Sequence, residues 1–533
     1  QAMFITGLVK QELWGPDTAD NYTRPGVEAG TEGAPWSTSY ISSFATTDFA
    51  DYYVQRLSCL FVPDVTGDYV FFICSDDDSD LFISTDADPA NKYLIAQETA
   101  WSNNRQWVTS GGGSTLGQKR SDEYTDATSG GQPYAAGIPL VAGNRYYIEA
   151  VQNEGGGGDN LAVTYKMVSP TWEDDPVDGT YTKLTGDRVG VLVPAPKNLQ
   201  ITVEPQDVTA HGWDRAIFSV DATAEAFYPP TYQWRRNGNP IPGATAKVYS
   251  LLTSASDNGA KFDCVVSLAG YPTPVTSRQA TLTVLGDAVF VAGSLMEERF
   301  NNVNRDAVNN GAVGMPDQVN YWTSFDGPAA AGDNFSRSVS GFFIPAVTGE
   351  YVFFTCSDDD SDFFISSNDQ PATKQLCAQE QSWSDQRQWL TGSTTMKRSD
   401  SWSPDGGTTT PFSAGIHLDA GVRYFIQGVM HEGSGGDNHS ATFKLLEAAD
   451  PANGDATAFV SGVIGHMEAP VVVRPEITIT KNSDGTITLS WTGGGTLEAA
   501  TSILGPWQDV TSTTPYTFTP QAGVPVMFGR IKK

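Results

Sequence analysis

The hexad Ser75-Asp76-Asp77-Asp78-Ser79-Asp80 returns letter for letter as Ser357-Asp358-Asp359-Asp360-Ser361-Asp362. Carboxylates packed this densely repel one another and resist burial unless positive charge sits among them. A ligand set made only of oxygens favours a hard cation, calcium (Ca2+) above all. Alternation along an extended chain offers one way to gather ligands, with Asp76, Asp78 and Asp80 on one face. An EF-hand loop is excluded, because Leu81 and Ala87 stand where that loop needs glycine and glutamate. A solvated acidic loop is the alternative that needs no ion.

The elements that must position the hexads are strands. Tyr69-Val70-Phe71-Phe72 precedes the first hexad and Leu81-Phe82-Ile83 follows it; Tyr351-Val352-Phe353-Phe354 and Phe363-Phe364-Ile365 do the same for the second. A further strand over residues 53–61 is expected to form a hairpin with the run before the first hexad. That hairpin would set Cys59 and Cys74 face to face, so a Cys59–Cys74 disulfide is expected. In the second copy Gly341 replaces Cys59 and a new Cys377 lies near Cys356, which suggests a Cys356–Cys377 bridge. Five cysteines leave one over; buried free thiols are the alternative throughout.

The repetition extends far beyond the hexads. Residues 67–107 and 349–389 share 27 identities in 41 positions. Later landmarks keep the same order: Lys119-Arg120-Ser121-Asp122 with Lys397-Arg398-Ser399-Asp400, and Glu154-Gly155-Gly156-Gly157-Gly158-Asp159-Asn160 with Glu432-Gly433-Ser434-Gly435-Gly436-Asp437-Asn438. A whole domain is duplicated. Copy one is assigned to residues 1–193 and copy two to 287–472. Trp101, Trp107, Trp383 and Trp389 are repeated as well, and are expected chiefly as core anchors, with sugar-stacking faces the alternative. Arg105 and Arg387, between them, are expected to pair with local carboxylates.

Residues 194–286 have a different character. Tyr232-Gln233-Trp234-Arg235 and Asp263-Cys264-Val265-Val266 resemble strands C and F of an immunoglobulin-like sandwich, with Trp234 in the core. Phe218 or Val220 takes the strand-B position, so Cys264 has no disulfide partner there. Residues 473–533 form a small C-terminal β domain, with Ile477-Thr478-Ile479-Thr480 and Thr486-Ile487-Thr488-Leu489-Ser490-Trp491 as a hairpin. The fold class is therefore all-β, a multidomain chain of β-sandwiches.

Gly67-Asp68-Tyr69-Val70-Phe71, Ser75-Asp76-Asp77-Asp78-Ser79, Leu81-Phe82-Ile83 and Glu154-Gly155-Gly156-Gly157 together resemble the signature of the protective-antigen (PA-fourteen) domain family, which includes the sugar-binding heads of yeast flocculins. The resemblance covers both copies and implies a β-sandwich. It implies that calcium is held by two consecutive aspartates, joined by a cis peptide, and by Asp or Asn from a second loop. Carried over, the ligands are Asp76, Asp77, Asp159 and Asn160 in copy one, and Asp358, Asp359, Asp437 and Asn438 in copy two. Asp78 and Asp360 depart from the family, which has glycine there.

A net charge of −30 excludes nucleic acid as a partner, since phosphate binding needs a basic surface. No apolar run is long enough for a transmembrane helix. The sequence has no metalloprotease HExxH, no nucleophile elbow and no phosphate loop, so no enzyme is expected. A chain beginning at Gln1 without a signal peptide suggests a trimmed, exported form. The expected function is a secreted, extracellular or cell-surface calcium-binding adhesion or carbohydrate-binding protein, with glycans or neighbouring surface proteins as partners. The alternative is a structural subunit of an extracellular filament, sheath or surface layer, self-assembling into a polymer and rigidified by calcium.

Overall fold

The computed structural model describes residues 2–532 except 17–20, 48–49, 287, 330, 393–394, 470–475, 521–522 and 524–525. The expected domain limits at 287 and 472 fall outside the described residues. The chain is all-β and divides into two compact units. One comprises residues 1–199 with 224–230 and 268–273; the other comprises 200–223, 231–267 and 274–533.

In the first unit, an eight-stranded sheet runs in the order Ala2–Thr6, Val189–Pro194, Tyr53–Phe61, Tyr146–Glu154, Ser79–Ser84 and Lys92–Glu98, with Val9–Trp14 and Ser37–Ile41 attached at one side. A four-stranded sheet, Ala45–Thr47, Asn160–Ser169, Gly67–Asp76 and Ile138–Leu140, faces it. Strand alternation explains the core between them. Tyr69, Phe71 and Ile73 point inward against Leu57, Cys59 and Phe61, while Val70, Phe72 and Cys74 point outward into a second cluster closed by Trp107. Both faces of Gly67–Asp76 are covered, so the strand reads as an unbroken apolar run.

Copy two repeats this plan. Its larger sheet follows the order Val289–Ala292, Ile464–Glu468, Phe335–Phe343, Tyr424–Glu432, Ser361–Ser366 and Lys374–Glu380. Ile416–Leu418, Gly349–Asp358 and Asn438–Leu445 make the smaller one. Trp389 closes the outer cluster over Val352, Phe354 and Cys356.

The expected hairpin before the hexad is not one. Tyr53–Phe61 and Gly67–Asp76 lie in opposite sheets, and the turn between them is a crossover. Cys59 consequently faces the central core and Cys74 the outer cluster, two sides of the same strand layer. Cys377 and Cys356 are separated in the same way. Neither expected disulfide exists: all five cysteines are free and buried. Burial pushes the Cys74 and Cys356 thiols up to about 12, so they act as small apolar groups. Thiol titration of the unreduced protein in denaturant should return five equivalents, and three or fewer would contradict this arrangement.

In the second unit, Trp234 and Cys264 face each other across paired strands, both fully buried. Phe218, fully buried, stacks on Phe262 at 4.5 Å. This β-layered segment docks on copy two. Trp213 packs against Phe342 and Phe425, with centroids 4.9 and 5.9 Å away. Arg215 makes a two-pronged, buried pair with Glu298, its Nε donating to Oε1 at 2.9 Å.

The matching glutamate of copy one, Glu12, is served from its own sheet by Arg56 at 2.7 Å. Copy two has Ser338 opposite Glu298 instead, so its cation comes from the adjoining segment. Removing one partner of a buried pair strands the other's charge. Arg215→Ala should lower the unfolding free energy of this unit by about 3 kcal/mol. Denaturant unfolding would read that change, and a loss within error would mean that the pair is dispensable.

Candidate metal centre

The hexad is a crossover, as is the second loop. Gly67–Asp76 in the small sheet is followed, after the hexad, by Ser79–Ser84 in the large one, while Tyr146–Glu154 in the large sheet returns through the glycine loop to Asn160–Ser169 in the small one. Registers pin the two crossovers side by side: Asn160 pairs with Asp76, and Gln152 with Ser79. Copy two pairs Asn438 with Asp358 and Met430 with Ser361. The eight residues carried over from the family thus form two equivalent groups, one at one end of each sandwich.

The peptides Asp76–Asp77 and Asp358–Asp359 are cis. Both side chains of each pair turn toward the glycine loop. Asp77 Oδ2 accepts from the Gly155 amide at 3.0 Å, and Asp359 Oδ2 from Gly433 at 2.9 Å. Asp76 Oδ2 and Asp358 Oδ2 lie so near the loop backbone that a Cβ on Gly158 or Gly436 would sit 3.1 Å from them. Across the loop, Asp159 Oδ2 accepts from Ala50 at 2.8 Å and Asp437 Oδ2 from Gly332 at 2.9 Å.

The asparagines complete the groups. Asn160 and Asn438 donate their amide nitrogens to Ser102 O and Ser384 O, at 2.9 and 2.8 Å. That leaves each Oδ1 buried with no hydrogen-bond donor among the described residues, a costly state for an acceptor.

The remaining hexad carboxylates serve another purpose. Arg24, at the start of the short helix Arg24–Ala29, pairs with Asp78 at 3.0 Å and with Asp80. Arg305, in the helix Arg305–Asn309, pairs with Asp360 at 2.7 Å and Asp362 at 3.2 Å. Thr23 and Asn304 cap these helices, accepting from Gly26 at 3.1 Å and Ala307 at 2.8 Å. The grouping of Asp76, Asp78 and Asp80 on one face is therefore corrected. The departure from glycine at Asp78 and Asp360 provides an arginine anchor. Its sequence signal was the repeated Arg-x-x-Val that opens both helices.

Sequence reasoning also missed Glu154 and Glu432. Each has a buried Oε1 without a hydrogen-bond donor among the described residues. Burial first, then the charges of Asp77, Asp76 and Asp159, pushes Glu154 up to about 8. Burial, Asp359, Asp358 and Asp437 push Glu432 up to about 7. Asp76 and Asp358 rise to about 6, by burial and then by Asp77 and Asp359 respectively. The retained Glu-Gly step before both glycine loops was the available clue.

Around this rim, the aromatic expectation divides. Trp107 and Trp389 are core, each 1% exposed, whereas Trp101 and Trp383 are 39% and 55% exposed. Trp101 bridges to Asp76 and Trp383 to Asp358. Lys119 and Lys397 hold these Trp loops from beneath, donating to Ser102 Oγ at 2.7 Å and Ser384 Oγ at 2.8 Å.

Among the described residues, no group of three or more His, Cys, Asp or Glu is gathered tightly enough to grip a metal as it stands. None of Asp76, Asp77, Asp358 or Asp359 has a Lys or Arg partner among the described residues, in contrast to Asp78, Asp80, Asp360 and Asp362. In copy two Arg337 Nη2 stands 3.7 Å from Asp437 Oδ1. The donor chemistry, all carboxylate and amide oxygen with buried acceptors lacking donors, fits a hard divalent cation.

No protein-family profile matches the chain, and no curated protein does. Solved structures that it resembles include an anti-sigma factor domain-containing protein from Clostridium clariflavum, at 13% identity and a TM-score of 0.21, over 86% of this chain and 99% of that one. They also include the Epithelial Adhesin 6 A domain from Candida glabrata in complex with Galb1-3GlcNAc, at 12% identity and a TM-score of 0.23, over 34% of this chain and 91% of that one. The Epithelial Adhesin 9 A domain from the same organism, in complex with Galb1-4GlcNAc, matches at 14% identity and a TM-score of 0.23, over 36% and 90%. Likenesses this distant leave the function to be argued from the site.

The raised carboxylates have a consequence for stability. The folded chain keeps protons up to about pH 6 at Asp76 and Asp358, about 7 at Glu432 and about 8 at Glu154, against ordinary values of 3.8 for Asp and 4.5 for Glu. It binds more protons than the unfolded chain across that window, so the stability of ion-free protein falls as pH rises from about 4 to about 8. Thermal unfolding in metal-free buffer should show a lower midpoint at pH 8 than at pH 5. A flat profile would show that these groups titrate normally.

Proposed function

We propose that each pair of crossovers is a calcium site, and that the chain is an extracellular adhesion protein which binds carbohydrate at these sites. The carrying observation is the division of charge in the hexads: in both copies two aspartates are neutralised by an arginine of the chain, and the two facing the second loop are not. Asp76, Asp77, Asp159 and Asn160 would hold the ion in copy one, and Asp358, Asp359, Asp437 and Asn438 in copy two. Bound calcium supplies positive charge and open coordination positions for hydroxyl oxygens.

The chain's own residues support the carbohydrate half of the reading. Trp101 and Trp383 are partly exposed beside the ligand loops, and indole surface suits the apolar C–H side of a sugar ring. Two sites on one chain would raise avidity where each alone is weak. The sequence resemblance to the protective-antigen family points the same way. No helix among the described residues is long and apolar enough to cross a membrane.

Calorimetric titration of protein stripped over chelating resin should give two bound calcium ions. Asp76→Asn/Asp77→Asn and Asp358→Asn/Asp359→Asn should each remove one. On a glycan array, binding should require calcium and fall at least tenfold in Trp101→Ala/Trp383→Ala. No calcium uptake would overturn the metal reading. Calcium uptake without any glycan, accompanied by ordered polymers, would overturn the carbohydrate reading and favour a filament or surface-layer subunit.

A further inference from the structure

Arg105 and Arg387 occupy equivalent places in the two copies, with the same left-handed backbone at φ 61° and 60°. Their carbonyls accept equivalent bonds, from Gly179 and Gly454, both at 2.9 Å. Their side chains do different things.

In copy two the guanidinium closes on Asp326. Arg387 Nε donates to Asp326 Oδ2 at 2.9 Å and Nη2 donates to the same oxygen. Gln386 Nε2 and Ser440 Oγ donate to Oδ1, at 3.0 and 2.6 Å. Four donors thus enclose one carboxylate. In copy one that carboxylate is missing. Ala45 stands where Asp326 does, since Ala45 lies opposite Ala162 and Asp326 opposite Ser440, and Ala162 and Ser440 are themselves opposite Cys74 and Cys356.

The receptor side is kept in part, with the hydroxyl donor Ser440 replaced by Ala162. Asn104 replaces Gln386, and Arg105 remains. Among the described residues no carboxylate pairs with Arg105, and its guanidinium lies over Tyr181, 4.3 Å from the ring centre. Asn104 Oδ1 is buried without a hydrogen-bond donor among the described residues. The two line an open cleft of about 380 Å³, whose other walls include Ser43, Thr47, Tyr181 and Thr185. That volume is at the lower end of the roughly 300–1,000 Å³ typical of small-ligand sites.

We infer that this cleft in copy one binds a carboxylated sugar, its carboxylate taking on Arg105 the place that Asp326 takes on Arg387. A guanidinium fork offers paired N–H donors that match the two oxygens of a carboxylate, and the contact with Tyr181 holds it in place. The remaining wall mixes the hydroxyls of Ser43, Thr47 and Thr185 with the Ala45 methyl and the Tyr181 ring, which suits a sugar's hydroxyls together with its apolar C–H face. The site needs no metal, and it stands or falls separately from the calcium reading.

The test uses the full chain, stripped of divalent ions over resin, titrated by calorimetry and ligand-observed NMR. Glucuronate, glucose and acetate are the probes. Glucuronate should bind at least tenfold more tightly than glucose or acetate, and calcium should not change that. Arg105→Gln should weaken it at least tenfold. Ala45→Asp, which rebuilds the copy-two pair, should do the same while leaving the thermal midpoint unchanged or higher; if that variant fails to fold, Arg105→Lys, which loses the fork but keeps the charge, replaces it and should also bind more weakly. Equal affinity for glucuronate and glucose would overturn the inference, as would full binding by both Arg105→Gln and Ala45→Asp. Acetate binding as tightly as glucuronate would overturn the assignment to a sugar.

Discussion

Compensating the charge of the acidic crossover is the constraint on which each repeated domain depends. Clustered carboxylates cannot be buried between two sheets unless something positive meets them. The chain meets half of that need itself, with Arg24 or Arg305 held at a capped helix start against Asp78 and Asp80, or Asp360 and Asp362. The other half is turned to the glycine loop, where Asn160 or Asn438 presents a buried oxygen that no donor among the described residues satisfies. Everything around the loops serves this division. The small glycines let loop backbone approach the aspartates, and Lys119 and Lys397 fasten the tryptophan loops from below.

Duplication let the copies diverge around the same frame. Gln11 and Gln55 share a hydrogen bond at 3.3 Å in copy one, and Glu297 and Arg337 replace them as an ion pair at 3.4 Å in copy two. Glu12 finds Arg56 within its own sheet, whereas Glu298 depends on Arg215 from the adjoining segment. Copy two therefore relies on its neighbour for a buried counter-charge, and copy one does not. The Arg105 and Arg387 positions differ in the opposite direction: copy two satisfies its arginine internally, and copy one leaves it facing a cleft. Each exchange moves a charge without disturbing strand register.

Much of this was legible in the residues. Period-two alternation and the repeated landmarks gave the all-β class and the duplication, because strands need those patterns to bury one face. Strand register sets the paired aspartates beside the Asp-Asn of the second loop, since two crossovers at one end of a sandwich must be neighbours. The expected disulfides failed for a reason no local pattern carries. A turn of the same length can close a hairpin or cross between sheets, and only the partner strands decide which. Cys59 and Cys74 therefore look adjacent in sequence yet face opposite sides of a layer. The tryptophans divided on similar grounds, Trp107 inward and Trp101 outward, from one short loop.

The acidic hexad, its exact repetition and its excess of negative charge were determined by sequence alone, because charge and composition are properties of residues. Which carboxylates face an arginine and which face a second loop was decided only by the tertiary structure. Arg24 lies more than fifty residues before the aspartates it neutralises, and Asn160 more than eighty after Asp76. Counter-charges at such separations are chosen by sheet order, which brings distant crossovers to one end of the sandwich, and not by any spacing along the chain.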